Sequence, residues 1–368
     1  MSERTATGRA AAERTPNVTD ATGTRGAEPG YDHGWYSWLP LPARPPLRWP
    51  GGAKVAVGVV LDLRAAEWDD PRHATPVPPP GGRGVAPYPD FPRMSHREFG
   101  HRVGVFRLLR ILERLGIARA VAVDVLTAEE YGPLMRHLRP AAAEFLAGGL
   151  SASRPLTSRM TEPEEAHYIR LTLDRLEAAL GVRPSGWLSP EHSESARTPA
   201  LLAGEGLKYV ADWGNDEQPY PLRGTADGLW AFPLSWELSD LAAMFLREVP
   251  PADYGRGLRE AYDVLCRDAA ASGRVLALHL HPWVSGQAFR AGVVEEALRH
   301  IAADGGAWLA TPGEIVQWCR TAEGAPGESA PAEGAPGESA PGEGAPGEGA
   351  PGESAPDEGA PDEGGVVR

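Results

Sequence analysis

Two histidines stand two residues apart in LHLHPWVSGQ, His279 and His281. In an extended strand that spacing puts both imidazoles on one face, because strand side chains alternate with a period of two. Such a pair suits two chemistries equally: shared coordination of a divalent cation, or one catalytic acid beside a packed, hydrogen-bonded neighbour. A carboxylate, Asp62, closes the β-branched run KVAVGVVLDL. Held at a strand end beside an apolar core, it is placed to bind a water and take its proton as a general base. Position alone equally allows a helix cap or an ion pair with nearby Arg64. WLSPEH sets Glu191 and His192 just past a short apolar run, ADWGNDEQPY carries Asp212 and Trp213, and Trp283 follows His281 by two residues. Convergent polar groups among aromatic walls are what small-molecule pockets are made of.

The elements that must position these residues alternate along the chain. KVAVGVVLDL (54–63) and ARAVAVDVL (118–126) read as strands buried on both faces. SHREFGHRVGVFRLLRILERLG reads as a helix capped by Ser95 and ended by Gly116, and YGPLMRHLRPAAAEFLAG as a further helix. Thr161 followed by Glu164, with Pro163 between them, marks a capping box for the helix over 161–181. GWLSP, LKYVADW, LWAFPLS, RVLALHLHPW and AWLATP supply later strands, with helices at 196–205, 254–271, 288–303 and 313–320 among them. Strand–helix alternation predicts an α/β fold, and without a GxGxxG or Walker pattern a (β/α) barrel is the better expectation. Barrel chemistry gathers at the C-terminal ends of strands, where Asp62, Asp124, Ser151, Glu191, His192, Asp212, Glu237 and His281 fall.

Composition limits what such a barrel can be. Of 368 residues, 322–368 form a Gly/Ala/Pro/Glu repeat with a proline every fifth residue from Pro326 to Pro361, and this stretch carries −10 of the formal −14 charge. No side chain there is larger and more apolar than alanine apart from a terminal Val-Val, so the repeat predicts a disordered acidic tail, and residues 1–30 a disordered N-terminal segment, around one domain over 31–321. Two cysteines, Cys266 and Cys319, exclude a disulfide framework. No basic field points to nucleic acid, and no apolar run approaches the roughly 18 residues of a membrane span. The first residues lack an apolar signal core, so a cytoplasmic location is the expectation. The partner expected is a small-molecule substrate, with neither nucleic acid nor membrane; the sequence leaves homo-oligomerisation open.

In their order, Asp62, the loop after 147, GWLSP, DWGNDEQPY, PLSWELSD and LHLHPWVSGQ resemble the polysaccharide deacetylase (NodB-type) family, and most nearly its allantoinase-like, peptidoglycan-deacetylase-like members. The resemblance runs from about Tyr31 through Arg320. It implies a distorted, incomplete (β/α) barrel of about seven strands and hydrolysis of a C–N amide bond, as in N-deacetylation of amino sugars or opening of a small cyclic amide. Asp62 falls on the family's base and His281 on its late histidine, a proton donor to the leaving nitrogen.

Several family positions are changed. Metal-dependent relatives hold a divalent cation with a second Asp near the base and two His in an HxxxH-type loop. Here the second Asp is replaced by Arg64, or by Leu63 in the other register. Gly148 stands where the first His belongs, and Ala152 or Ser153 where the second would be. Allantoinase-like members keep a His at the Gly148 position and an Asn where this chain has Asp124. One carboxylate with no imidazole from that loop lacks the usual tetrahedral ligand set, so neither a metal nor another cofactor is expected. The resulting expectation is a metal-free hydrolase of a small intracellular amide, ureide or N-acyl compound. Asp62 is its base and His281 its acid, with Arg64, Arg154, Glu191, Trp213 and Trp283 binding substrate. Arg64 or Arg154 would replace the cation as the fixed positive charge. The alternative is a catalytically silent relative that binds a ligand or partner.

Overall fold

β1 (Val55–Asp62) is buried along all eight residues, as its β-branched run demands of a strand covered on both faces. The computed structural model describes residues 33–68, 91–225 and 228–321. The segments expected at 1–30 and 322–368, and most of the Pro/Gly-rich stretch after Trp68, lie outside the described residues. Those described fall within one compact unit, Met1–Gly327. Its other strands are β2 (Ala120–Val123), β3 (Glu144–Ala147), β4 (Gly186–Trp187), β5 (Tyr209–Val210), β6 (Tyr220–Pro221), β7 (Trp230–Ala231), β8 (Arg274–Leu280) and β9 (Ala307–Leu309).

The strand order is β6-β7-β5-β4-β3-β2-β1-β8, with β9 also on β1. From β7 to β8 seven strands run parallel, and β6 joins β7 antiparallel. β9 pairs with β1 over Val55–Val57, below the Val60–Asp62 stretch taken by β2. No pairing joins β8 to β7 among the described residues, so the curled sheet stays open. The fold is the distorted, incomplete (β/α) barrel expected.

Period-two alternation sorts the strand residues between two cores. Val55, Val57, Val59 and Leu61 pack in one cluster with helical residues such as Leu108, Leu173 and Leu298. Ala56, Val60, Ala122, Leu146 and Ala277 fill the barrel interior with Tyr209 and Phe232. Gly58 shares that interior face, where an added Cβ would meet Phe232 Cζ at 3.1 Å. Continuing the alternation carries Asp62, His279 and His281 onto the inner face at the C-terminal mouth.

The helices are α1 (Phe91–Phe99), α2 (Val105–Arg114), α3 (Val125–Glu130), α4 (Gly132–Ala141), α5 (Glu162–Leu180), α6 (Thr198–Gly204), α7 (Pro251–Asp268), α8 (Ala288–Ala303) and α9 (Pro312–Arg320). The capping box of α5 is present, with the Thr161 N–H donating to Glu164 Oε2 at 2.8 Å. Two expectations change. α1 starts at Phe91, upstream of Ser95, and joins α2 through a wide turn at Gly100–Gly104. The loop after β8 presses on that turn: a Cβ on Gly104 would lie 2.0 Å from Pro282 O. The run expected to be helical through Gly148 stops at Ala141, and Glu144–Ala147 pair with β2 as β3. Sheet pairing overrides the helical propensity of the alanines.

Candidate active site

At the mouth, Asp62 is the hub. The backbone N–H of Arg64 donates to its Oδ1 at 3.1 Å, and Arg64 Nε to the same oxygen at 2.9 Å. Arg64 Nη2 donates to Oδ2 at 2.5 Å, and His279 Nε2 reaches that oxygen at 3.0 Å. His281 Nε2 stands 3.4 Å from it. On its other side, His281 Nδ1 contacts Asp240 Oδ1 at 2.7 Å. Asp240 is fixed in turn by the His281 and Ser285 backbone N–H groups and by Ser285 Oγ at 2.5 Å. The His281 ring is thus suspended between two buried carboxylates.

Leu63 packs in the helix-side core, so it is Arg64 that turns inward. Its Nη1 donates to Leu188 O at 3.1 Å and Ser189 O at 2.5 Å. A Cβ on Gly148 would meet Arg64 Cδ at 2.5 Å and Cγ at 2.7 Å. The arginine stem therefore occupies the space that a side chain at 148 would need. A histidine at 148 and this arginine rotamer exclude one another.

Asp62, His279 and His281 each offer a ligand-type atom within 4.8 Å of one another, the group of this kind found among the described residues. Their chemistry does not fit a resident cation. Asp62 carries the Arg64 fork on both oxygens, and both Nε2 atoms are turned to the same carboxylate. An ion among them would stand against a guanidinium, and zinc's usual fourth ligand from the 148–153 loop is missing.

Electrostatics follow from this packing. Burial alone would raise the Asp62 carboxyl, but the Arg64 charge and the hydrogen bonds from His279 and His281 hold it well below the usual carboxylate range. Burial opposes charge on His281, yet Asp240 and Asp62 push it up to about 9. Burial and the neighbouring His281 charge hold His279 down. His192 is brought down to about 4 by burial, against the pull of Asp212.

A cavity of about 40 Å³ at this mouth, room for a few waters, is lined by Asp62, Arg64, His281, Glu191 and Trp283, residues picked from the sequence. Glu191 is exposed at its rim. Two expected substrate ligands are not there. Arg154 pairs with Glu67 at 2.6 Å and does not line the cavity. Trp213 packs against Tyr36 and donates Nε1 to Glu194 at 2.9 Å, a loop brace outside the cavity. Asp124 caps α3 and receives the Ala65 and Ala152 N–H groups. His101 is buried against Leu63 O. Sequence reasoning gave too little weight to three residues. His279 binds Asp62, Asp240 grips His281, and His192 lines the cavity beside Trp236. The signal available was the i, i+2 histidine pair and the acid in ELSD; nothing in the sequence tied His192 to Asp212.

No family model matches the chain. A peptidoglycan deacetylase from Helicobacter pylori is 25% identical over 240 residues, which span 56% of this chain and 80% of the relative. A putative polysaccharide deacetylase structure from Mycobacterium smegmatis superposes with a TM-score of 0.63 at 25% identity, covering 74% of this chain and 92% of the other. The Puue allantoinase structure shares the fold with a TM-score of 0.68 at 21% identity, over 76% and 96% of the two chains. With this barrel and the Asp62–His281 mouth, these likenesses define a deacetylase- and amidohydrolase-like hydrolase class. In sequence and fold the chain is similar to polysaccharide deacetylase (NodB-type) proteins.

Proposed function

We propose that this protein hydrolyses the C–N bond of a small amide, ureide or N-acyl compound without a resident metal. The observation that carries the reading is His281, lodged between Asp240 and Asp62 at the cavity wall. Held up to about 9, it is a protonated donor at neutral pH, poised for a leaving nitrogen. The Arg64 guanidinium supplies the fixed positive charge. Nε, both Nη1 protons and one Nη2 proton are engaged, leaving one of five N–H donors for a developing oxyanion. Asp62, expected from the sequence as base, is saturated with donors and weaker as a base than an ordinary carboxylate. In this proposal it anchors the two cations. A cavity of some 40 Å³ favours a compact reacting group.

Purified protein incubated with allantoin, other cyclic amides and N-acetylglucosamine oligomers is expected to release product from at least one. The activity should persist after chelator treatment and fall at least 100-fold in His281→Ala. Activity restored only by a divalent cation would overturn the metal-free reading, and unchanged turnover in His281→Ala would overturn the acid. The tight Arg64–Asp62 fork favours a second reading, a silent relative that binds a ligand or partner. That reading predicts binding without turnover across the same compounds.

A further inference from the structure

The proposed acid leaves the attacking water without a base, since both Asp62 oxygens are engaged. The same cavity is also lined by His192, brought in by the loop after β4. Its Nδ1 stands 3.6 Å from Asp212 Oδ1, and its Nε2 is buried with no protein group in hydrogen-bonding reach. The ring stands edge-to-face with both Trp236 at 5.7 Å and His279 at 5.8 Å. Buried polar nitrogens are normally paired, and leaving one unpaired costs about 1–3 kcal/mol. His279 also has an unpaired nitrogen, Nδ1, but that side chain is 1% exposed against 16% for His192. Of the two, His192 is the less enclosed imidazole, and it borders a cavity with room for water.

The backbone gives an independent sign. Glu191 and His192 have φ of 56° and 52°, two successive non-glycine residues in the left-handed region. Such strain costs on the order of 1–3 kcal/mol per residue and concentrates where function holds a side chain in place.

We propose that His192 is the general base of this site, oriented by Asp212 and lining the same cavity as the proposed acid His281. The inference rests on the hydrolase reading above. With Nδ1–H directed at Asp212, the Nε2 lone pair takes a proton from water as the water oxygen bonds to the carbonyl carbon. The π pair moves onto the carbonyl oxygen. Collapse of the adduct re-forms C=O and breaks C–N, and the nitrogen takes a proton from His281 Nε2. His192 then returns its proton to solvent, and His281 regains one. The long Nδ1–Oδ1 distance is of the kind that tightens when substrate binds. Proton affinities support the direction of transfer. His192, near 4, is the stronger base of the pair it forms with Asp62, and His281, near 9, is the donor.

The test uses two variants compatible with a left-handed backbone, His192→Asn and His192→Gly. On whichever compound of the panel the parent protein hydrolyses, both should lower kcat by about 100-fold or more with KM changed less than threefold. Imidazole added to His192→Gly should restore part of kcat, and thermal melting should be unchanged or higher. Retained kcat in either variant, or a KM increase alone, would overturn the base assignment and leave the hydrolase reading intact. A parent protein inactive on the whole panel would overturn both.

Discussion

The Arg64–Gly148 contact makes the sharpest residue-scale prediction. Gly148 has no positive φ to defend, and an added Cβ would meet the Arg64 stem at 2.5 and 2.7 Å before the Val123 carbonyl oxygen at 3.0 Å, so the arginine is the closer obstacle. Gly148→Ala is expected to destabilise by about 1–3 kcal/mol, as overpacking does. In an Arg64→Ala background that cost should shrink to what the Val123 carbonyl still imposes, a non-additivity that urea melts of the four proteins would expose. Additive costs would mean that Arg64 does not fill the space at 148. The sequence marked both residues as departures from a metal site, but it could not show that one departure fills the gap left by the other. Linear order carries no record of which stem leans into which space. For the same reason Arg154 looked as good as Arg64: both are arginines near the mouth, and only packing shows that one is committed to Glu67.

At the scale of elements, most of the framework was legible. β1 announced itself by its β-branched run, and the two-residue spacing already put His279 and His281 on one face of β8; that Asp62 shares this face follows only from the pairing of β1 with β8. β3 was missed because AAAEFLA satisfies helical propensity, and only its pairing to β2 reveals a strand. The helix–loop clasp was also illegible, since it depends on a carbonyl from elsewhere in the chain. Gly100 and Gly104 let α1 and α2 ride against Pro282–Gly286, where Cβ atoms would come within 2.8 Å of Trp283 N and 2.0 Å of Pro282 O. Because that loop carries Ser285, which holds Asp240 beside His281, Gly104→Ala should disturb more than packing. The expected outcome is a loss of about 2 kcal/mol or more in unfolding free energy together with lower kcat. Normal catalysis in a destabilised Gly104→Ala protein would separate the clasp from the site.

For the whole molecule, the buried charges give stability a pH signature. His281 has its folded pKa raised to about 9 from an ordinary value of 6.5, so its contribution is complete below about pH 6.5 and is lost as pH rises through 9. A shift of that size corresponds to something on the order of 3 kcal/mol. Glu194, driven up to about 9 by burial and by the Asp212 charge, and Asp124, driven up to about 7 by burial, slope the same way. Denaturant midpoints measured from pH 6 to 9.5 should therefore fall, and the fall should be shallower in His281→Gln, which removes the imidazolium share. A profile that rises over this window, or one identical in the variant, would contradict a charged His281 in the folded state.

The paired left-handed residues at 191 and 192 carry one last implication. A loop obliged to sit in so unfavourable a fold of the backbone keeps this barrel short of the sturdiness its core would allow. Replacing Glu191 by glycine is then an easy route to a tougher molecule. A lineage released from any duty at this mouth would be free to drift that way.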